Sequence, residues 1–252
     1  MDRLDADAIR VPGVEVQVLG HCTSTNSLLL ARAAGHAVLL AADEQSAGRG
    51  RRGRRWHSPA GAGVLFSLAL PLARPVRELA GLSIVAGLAA VRALRALGAA
   101  DVGLRWPNDL LVRGAKLGGI LVETRAQGKG CLAVVGIGVN YRAVPGLGTR
   151  LRRRVAALES LLRPLPARNA VIAAIGAELL AALRAFDATG FAAFRAHWPA
   201  LDAFAGQRLR VRLDDGRTVA GMAAGVAADG ALQLRTRRGL RTVRNGRVVS
   251  AA

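Results

Sequence analysis

The C-terminal part of the chain has a pattern that fits one kind of structure. Between residues 208 and 213, arginines alternate with leucine and valine, and a period of two indicates a strand with one buried face. Turn-forming dipeptides that end in glycine then recur at short intervals: Asp215-Gly216, Asp229-Gly230, Arg238-Gly239 and Asn245-Gly246. Short strands joined by tight turns predict a small antiparallel barrel from about Gly206 onward.

The residues before this tail mix short and long apolar runs, which predicts strands together with helices. We expect strands at 14–18, 37–42, 64–70, 102–106, 110–112, 120–123 and 132–139. We expect helices at 28–34, 79–97, 156–162, 167–185 and 191–198, the first of them capped within 24–26. The predicted fold class is α+β: a mixed sheet with helices packed on it over residues 1–204, and the small β-domain over residues 205–252.

The sequence carries no pattern typical of export or membrane insertion. The N-terminus is acidic and mixed, unlike a signal peptide. The most apolar stretch, 79–97, is interrupted by Ser83, Arg92 and Arg95, whereas a membrane span needs roughly 18 or more apolar residues in a row. Cys22 and Cys131 are too few for a disulfide framework. We therefore expect reduced thiols and a cytoplasmic protein.

The formal net charge of +19 raises the question of nucleic-acid binding. Only Lys116 and Lys129 of the 36 basic residues are lysines, and alanine is abundant throughout, which indicates a compositional drift toward arginine and alanine. Charge bears on solubility and loose association rather than on fold. A solvated basic surface and a nucleic-acid-binding surface, carried by the basic clusters at 150–154 and 235–247, both remain open.

The segment from Gln45 to Trp56 contains the sequence GRGRRG at 48–53. Glycine lets the backbone approach a ligand and leaves N–H groups free to face oxygens. Arginine supplies fork-shaped donors suited to carboxylate and phosphate. We expect one long loop over residues 43–63, and a loop of that length in a compact domain is usually functional or disordered. A disordered linker that binds RNA is the alternative.

Three further segments place polar or glycine residues beside predicted strands. In RWPND (105–109), Asn108 and Asp109 suit either an Mg²⁺ or amine site or a simple turn. In KLGGILVE (116–123), Lys116 indicates a required point charge, or else a surface lysine at a hairpin turn. The glycines of GIGVN (136–140) indicate either close approach of a ligand or ordinary core packing.

These four segments, together with Ser-Thr-Asn at 24–26, resemble the bacterial biotin–protein ligases in order and spacing over about residues 14–250. The resemblance implies a class II synthetase-like catalytic domain and a C-terminal SH3-like barrel. It also implies that ATP activates biotin to biotinyl-5'-AMP with release of pyrophosphate. The biotinyl group then passes to a lysine of the biotin carrier protein of a biotin-dependent carboxylase.

The resemblance implies roles for individual residues. Arg51, Lys116 and Asp109 would be catalytic, with Asp109 receiving or orienting the incoming lysine. The biotin-binding residues would be Ser24, Thr25, Asn26, Gln45, Arg49, Gly50, Arg51, Lys116 and Gly118. The ATP-binding residues would be Arg49, Arg51, Arg52, Trp56, Asn108, Lys116 and Asn140. Mg²⁺ would be carried with ATP rather than held in a metal site of the protein.

The sequence departs from the family pattern at both ends. Many family members carry a helix-turn-helix repressor domain before the first catalytic strand, whereas about 13 residues precede that strand here. We therefore expect the form that lacks this domain, and no sequence-specific DNA binding. At the other end, residues 248–252 lack a basic residue that some relatives place near the nucleotide.

Two other functions stay open at this stage. A lipoate or octanoate ligase has a similar fold, although GRGRRG with WPND favours biotin. An arginine-rich nucleic-acid-binding protein is the alternative from another class, and it predicts steeply salt-dependent binding without ATP-dependent labelling. The oligomeric state is also open, with a homodimer among the options.

Overall fold

The computed structural model describes residues 3–32 and 35–251, and its larger part is built on a seven-stranded mixed sheet. The strands are β1 (Glu15–Cys22), β2 (Val38–Gln45), β3 (Gly63–Leu72), β4 (Val102–Arg105), β5 (Asp109–Val112), β6 (Ala115–Gln127) and β7 (Gly130–Asn140). Their order across the sheet is β1-β2-β3-β7-β6-β5-β4. β1 and β2 are parallel and all other neighbours are antiparallel. Each predicted strand is thereby confirmed, and β6 and β7 form one long hairpin.

The helices are α1 (Thr25–Ala31), α2 (Leu82–Ala96), α3 (Leu147–Leu151), α4 (Arg168–Thr189), α5 (Ala192–Arg195) and α6 (Trp198–Leu201). Ser24 caps α1, because its hydroxyl accepts a hydrogen bond from the Ser27 backbone N–H. The cap is the one predicted from the sequence. Residues 33 and 34, where the predicted helix ends, lie outside the described residues.

The central strands are buried on both faces. Leu39 and Val135 belong to the main core with α2 and α4, whereas Leu40 and Val134 pack with Leu29 of α1 on the opposite face. Successive side chains of a strand point to opposite faces. This placement explains why the strand at 37–42 is a continuous apolar run with no alternation.

Helix α4 is the one helix in the described part of the chain with the length and hydropathy of a membrane span. Its Val171, Ile175 and Leu179 are fully buried in the main core. A core helix of that length meets the same criteria, and α4 packs here against α2 and β3.

The predicted helix at 156–162 is wrong. Only Leu158–Ser160 form a single 3₁₀ turn. The preceding residues pair instead with the start of β6, because the Lys116 N–H donates to Arg154 O and the Ala156 N–H donates to Lys116 O, both at 2.9 Å. This pairing keeps the chain extended as far as Ala157, so no helix begins at 156.

Two further boundaries differ from the prediction. The helix expected at 191–198 is divided into α5 and α6, and Pro199 lies in the first turn of α6, the position that proline tolerates best. The loop expected at 43–63 is shorter, because β2 continues to Gln45. Short helix α3 was not predicted.

The C-terminal part forms a five-stranded antiparallel sheet: β8 (Arg208–Arg212), β9 (Thr218–Val226), β10 (Leu232–Thr236), β11 (Gly239–Val243) and β12 (Arg247–Ala251), in the order β11-β10-β9-β8-β12. The predicted strands and turns are confirmed. The β9–β10 turn docks on the larger part, where Trp106 Nε1 donates to Gly230 O at 3.0 Å. A Cβ at Gly230 would lie 2.8 Å from Gly81 Cα, so this turn requires glycine.

Candidate functional site

A cleft of about 630 Å³ lies where the β5–β6 end of the large sheet meets the C-terminal sheet. Its volume is within the range of small-molecule sites. The segment 46–56, which we call the glycine-arginine loop, covers one side of it. The sequence-predicted residues that line the cleft are Ser24, Thr25, Asn26, Gln45, Arg49, Gly50, Arg51, Arg52, Trp56, Asn108, Asp109 and Lys116.

One corner of the cleft is a buried polar network at the start of α1. The Thr25 N–H donates to Gln45 Oε1 at 2.8 Å, and the Thr25 hydroxyl lies 2.7 Å from the Ser67 hydroxyl. Ser67 in turn donates to Asn26 Oδ1 at 2.5 Å. Ser24, Thr25 and Asn26 are each at most 3% exposed. Buried polar groups need partners, and Thr25 and Asn26 find theirs in this network. We call Ser24, Thr25, Asn26 and Gln45 the polar corner.

Gly136 makes the polar corner possible. A Cβ at this position would lie 2.2 Å from Asn26 Oδ1. Gly136 is the first glycine of the GIGVN segment, for which ordinary core packing was the alternative. Core packing alone does not explain why glycine is needed here. Close approach of a side chain that lines the cleft accounts for it.

The glycine-arginine loop is an ordered hairpin in this structure, not a disordered linker. Arg49 and Arg55 form an antiparallel bridge, and the Gly50 N–H donates to Arg54 O at 2.7 Å. Arg51–Gly53 form a 3₁₀ turn at its tip. A Cβ at Gly48 would lie 2.8 Å from Trp56 O, so the base of the hairpin requires glycine.

Side chains of the loop attach it to three other elements. Arg49 pairs with Glu123 of β6 at 2.8 Å. Arg51 NH1 donates to Asn108 Oδ1 at 3.3 Å, and Arg52 forms an ion pair with Asp214 in the β8–β9 turn. The loop therefore spans from the polar corner to the C-terminal sheet, over the cleft.

Lys116 and Asp109 form an ion pair on the floor of the cleft. Their Nζ and Oδ1 atoms are 2.5 Å apart, and Arg105 pairs with the other carboxylate oxygen. The Lys116 side chain is only 13% exposed, so the alternative of a surface lysine at a turn is wrong. Asp109 forms ion pairs with both cations, so the alternative of a simple turn does not account for it.

Burial and neighbouring charges oppose each other at this pair. Burial acts to raise the pKa of Asp109, but the charges of Lys116 and Arg105 outweigh it and the pKa lies below its ordinary value. Burial is also the largest influence on Lys116, and it lowers the pKa of that ammonium despite Asp109. The lowered pKa makes Asp109 a weak base.

Trp56 lies flat against the sheet beside Lys116. Its ring centroid is 5.6 Å from Lys116 Nζ, within reach of a cation–π interaction. A Cβ at Gly138 would lie 2.7 Å from Trp56 Cε2. The second glycine of GIGVN thus provides the space for the indole.

Two predicted residues lie outside the cleft. Gly118 is buried within β6, where a Cβ would lie 2.7 Å from Gly138 O. Asn140 borders a smaller neighbouring cavity with Trp56 and Lys116. Its Nδ2 donates to Lys116 O at 3.2 Å and to Ala156 O at 2.9 Å. Asn140 thereby holds the 154–156 segment against β6.

Sequence reasoning missed several cleft residues. Arg153, Arg54 and Arg247 line the cleft from three separate elements, and no ion pair involves them in the described part of the chain. Burial first, and then Arg54 and other arginines, lower the pKa of Arg247. The 248–252 segment lacks a basic residue, but Arg247 directly before it contributes one. Ser67 and Glu123, which support the polar corner from behind, were also missed.

The carboxylates of the cleft do not form a metal cage. No group of three or more His, Cys, Asp or Glu side chains suited to a metal occurs in residues 3–32 and 35–251. Asp109 lines the cleft, and both of its oxygens are paired with cations. Mg²⁺ would thus require most of its oxygen ligands from phosphate and water.

Comparisons with known proteins bear on the family and the fold of the chain. Residues 21–140 match the Biotin/lipoate A/B protein ligase family, and residues 204–249 match the Biotin protein ligase C terminal domain. The Bifunctional ligase/repressor BirA of Escherichia coli K12 is 36% identical over 230 residues, which are 89% of this chain and 70% of that protein. The Biotin–[acetyl-CoA-carboxylase] ligase of Mycobacterium tuberculosis is 36% identical over 87% of this chain and 83% of its own length.

Among solved structures, the biotin protein ligase from Aquifex aeolicus in complex with biotin and ATP superimposes with a TM-score of 0.78. It is 25% identical, and the match covers 94% of this chain and 98% of that one. The agreement therefore includes both the large sheet and the C-terminal sheet. From these matches, the chain belongs to the biotin protein ligase family.

Proposed function

We propose that this protein is a ligase that activates biotin with ATP to biotinyl-5'-AMP and pyrophosphate, and then transfers biotin to a carrier lysine. One observation carries the proposal: a buried polar corner and a cluster of cations share one cleft under the glycine-arginine loop. The acceptor is a lysine of the biotin carrier protein of a biotin-dependent carboxylase, as the names of relatives indicate for those proteins.

The polar corner is suited to the uncharged head group of biotin. The buried Thr25 and Asn26 and the half-buried Gln45 offer polar groups to a ligand in the cleft. A site built to hydrogen-bond its ligand discriminates strongly, because a ligand without the matching groups leaves buried polar atoms unpaired. We assign Ser24, Gly50 and Arg49 to the same contact set, while Gly118 supports it through the packing of β6.

The cations are placed where the two anionic substrates must meet. The biotin carboxylate attacks the α-phosphorus of ATP, and pyrophosphate leaves. Lys116 and Arg51 lie on the floor and the roof of the cleft respectively. Fixed charges in a partly desolvated site stabilise developing negative charge without reorganisation. We therefore assign Lys116 and Arg51 to the activation step.

We assign the nucleotide to the side of the cleft that holds Trp56, Asn108 and Arg52, with Asn140 behind it. Trp56 lines the cleft with its indole packed against Gly138, so an aromatic ring is available to adenine there. Asn108 is fixed by donation from Nδ2 to Ile120 O at 2.8 Å. Mg²⁺ bound to the phosphates would neutralise part of their charge during activation.

Transfer requires that the carrier amine attack the biotinyl carbonyl, lose a proton and release AMP. We assign Asp109 an orienting role in this step, because a carboxylate can accept a hydrogen bond from the amine. Its lowered pKa makes it a weak base. Its bond to Lys116 also keeps the ammonium fixed on the cleft floor.

We divide the chain functionally at residues 204 and 205. The larger part, 1–204, carries the polar corner, the loop and the Lys116–Asp109 pair. The smaller part, 205–252, contributes the cleft wall at Gly246–Val249 and the Asp214 partner of Arg52. The division agrees with the family match that begins at residue 204.

A substrate competition experiment tests the choice of biotin over lipoate. The purified protein is incubated with ATP labelled at the α-phosphate, and acyl-adenylate formation is measured with biotin, lipoate or octanoate as the acid. We expect adenylate with biotin and little competition from a large excess of the fatty acids. Equal use of lipoate would move the assignment to a lipoate or octanoate ligase.

A further inference from the structure

We infer that Glu123 is a positioning residue that couples the biotin pocket to the glycine-arginine loop through a single carboxylate. The inference deepens the proposed function, because it assumes that the polar corner receives biotin. Glu123 does not line the cleft and ends the KLGGILVE segment. Unlike Lys116 and Gly118 of that segment, it has no assigned contact with a substrate. Its contacts reach both the corner and the loop.

The first contact is a two-pronged ion pair with the loop. Glu123 Oε1 lies 2.8 Å from Arg49 NH2, and Arg49 NH1 donates to Glu123 Oε2 at 3.1 Å. A guanidinium held by both oxygens of a carboxylate is fixed in direction as well as in position. The Glu123 side chain is 19% exposed and the Arg49 side chain 46%, so the carboxylate is shielded while water still screens the guanidinium in part.

The second contact is with the polar corner. Asn26 Nδ2 donates to Glu123 Oε2 at 3.1 Å and to Leu121 O at 3.3 Å. The orientation of the Asn26 amide is then determined, and Oδ1 is left to accept from Ser67. The same Glu123 oxygen therefore serves the amide in the corner and the arginine in the loop.

Holding Arg49 holds the whole loop. Arg49 bridges Arg55 across the hairpin, and the Gly50 N–H donates to Arg54 O. A hairpin fixed at its first residue moves as a unit. A ligand that fixes the positions of Asn26 and Glu123 therefore also stabilises the loop in its position over the cleft. Movement of the loop away from the cleft would in turn leave Asn26 less constrained.

A carboxylate is required at this position, and an amide does not replace it. Glutamine in place of Glu123 would keep one oxygen to accept from Asn26. Its NH₂ group would then face the Arg49 guanidinium, which is also a donor and carries no acceptor. Substitution E123Q keeps the size of the side chain, removes its charge and replaces the oxygen that faces Arg49 NH2 by a donor, so it weakens the coupling without changing the packing.

Limited trypsin digestion tests the coupling without any substrate. Cleavage after Arg49, Arg51, Arg52, Arg54 and Arg55 is followed by peptide mass spectrometry. We expect E123Q to cleave in the loop about tenfold faster than wild type, the effect of losing one charge-assisted pair. The matched control is E78Q, which removes a glutamate paired with Arg74 and Arg77 outside the cleft. Its loop cleavage should equal that of wild type.

A double variant shows whether the two residues act together. R49Q, which alters an exposed side chain and leaves β6 intact, should raise cleavage at the remaining loop sites as E123Q does. The double variant should cleave no faster than either single variant. Loop cleavage of E123Q within twofold of wild type, or additive effects in the double variant, would overturn the inference. If E123Q does not fold, loop cleavage of R49Q tests the contact between Arg49 and Glu123.

Biotin binding without ATP supplies the second measurement. We expect E123Q to weaken biotin binding about tenfold, at an unchanged melting temperature, and E78Q to leave it unchanged. Unchanged biotin affinity in E123Q, with faster loop cleavage, would overturn the coupling to the corner. Wild-type protein that binds no biotin would contradict the proposed function instead, and the digestion result would still decide the loop contact.

Discussion

The Lys116 ammonium lies 2.5 Å from the Asp109 carboxylate on a cleft floor that is otherwise crowded with arginines. Lys116 is placed there by β6 and Asp109 by β5, which pair in antiparallel register with a shift between Leu110 and Leu111. The carboxylate offsets part of the repulsion that Arg105 and Arg153 exert on the ammonium. The pair thus holds the lysine side chain where two anions must meet.

Removing the carboxylate should make activation depend on pH. In D109N, burial and the arginines lower the pKa of Lys116 further, because the opposing charge is gone. We expect adenylate formation at pH 8 to fall about 10²-fold, on the scale of one lost electrostatic contact. The loss should be smaller at pH 6, because a lower pH favours the protonated ammonium. Pyrophosphate release across this pH range measures the effect.

The control for D109N is D101N, which removes a carboxylate paired with exposed Arg113 outside the cleft. Its activity should follow wild type at every pH. A deficit of D109N that is the same at pH 6 and pH 8 would contradict the proposed electrostatic role of the pair.

Two glycines of GIGVN should separate the two substrates. A Cβ in G136A would lie 2.2 Å from Asn26 Oδ1, whereas one in G138A would lie 2.7 Å from the Trp56 ring. We expect G136A to weaken biotin binding at least about tenfold, and G138A to weaken nucleotide binding by a similar factor, since overpacking costs about 1–3 kcal/mol. Calorimetry with each ligand alone measures both.

Gly20 is the matched control, because a Cβ there meets nothing within 4 Å. G20A should bind both ligands as wild type does. Equal losses of both ligands in G136A and G138A would show that the two positions do not belong to separate subsites.

Arg51 should determine how well the adenylate is retained. In this structure its guanidinium crosses the cleft to Asn108, and R51G removes that contact together with a cation above the phosphate. We expect faster release of biotinyl-5'-AMP and more labelling of bystander lysines on an added protein. R237G, in the exposed turn between β10 and β11, is the control. Adenylate retention equal to wild type would contradict the role of Arg51.

Asp202 should make the free energy of unfolding depend on pH in the mildly acidic range. Burial raises the pKa of Asp202 to about 6, against hydrogen bonds from Phe204 and Trp198 that lower it. The folded state therefore takes up a proton more readily than the unfolded state, and its advantage is lost as pH rises from about 4 to about 6. Above pH 6 the buried charge costs at most about 2–3 kcal/mol.

D202N removes that charge and keeps an oxygen for the Phe204 N–H, which donates to Asp202 Oδ1 at 2.9 Å. We expect D202N to be more stable than wild type at pH 8 and nearly equal to it at pH 4, by urea unfolding. An advantage of D202N that does not change between these pH values would contradict the raised pKa.

The strands and most helices were predictable because apolar period and turn residues are local signals. The helix at 156–162 was not, because its residues are apolar enough for a helix but the chain enters the segment from a pairing of Val155 with Lys116 of a distant strand. The short helix α3 has no periodic apolar face. The division of 191–198 depends on Pro199, whose signal is local and could have been used.

The site was predictable where its residues occur in recognisable segments, and not where they support those segments. Ser67 and Glu123 reach the polar corner through strand register, which fixes them opposite Asn26 only after β3, β6 and β7 are paired. Arg153 and Arg247 reach the cleft from elements far apart in the chain. In an arginine-rich sequence, no feature of these two distinguishes them from surface arginines.

Carrier biotinylation is the most direct measurement of the central claim. The folded protein is incubated with labelled biotin, ATP and a biotin carrier domain, with parallel reactions that omit ATP or replace the acceptor lysine of the carrier by arginine. We expect one biotin on the acceptor lysine of the intact carrier and none in either control. A folded protein that forms no biotinyl–lysine on the carrier in the presence of ATP would contradict the proposed function.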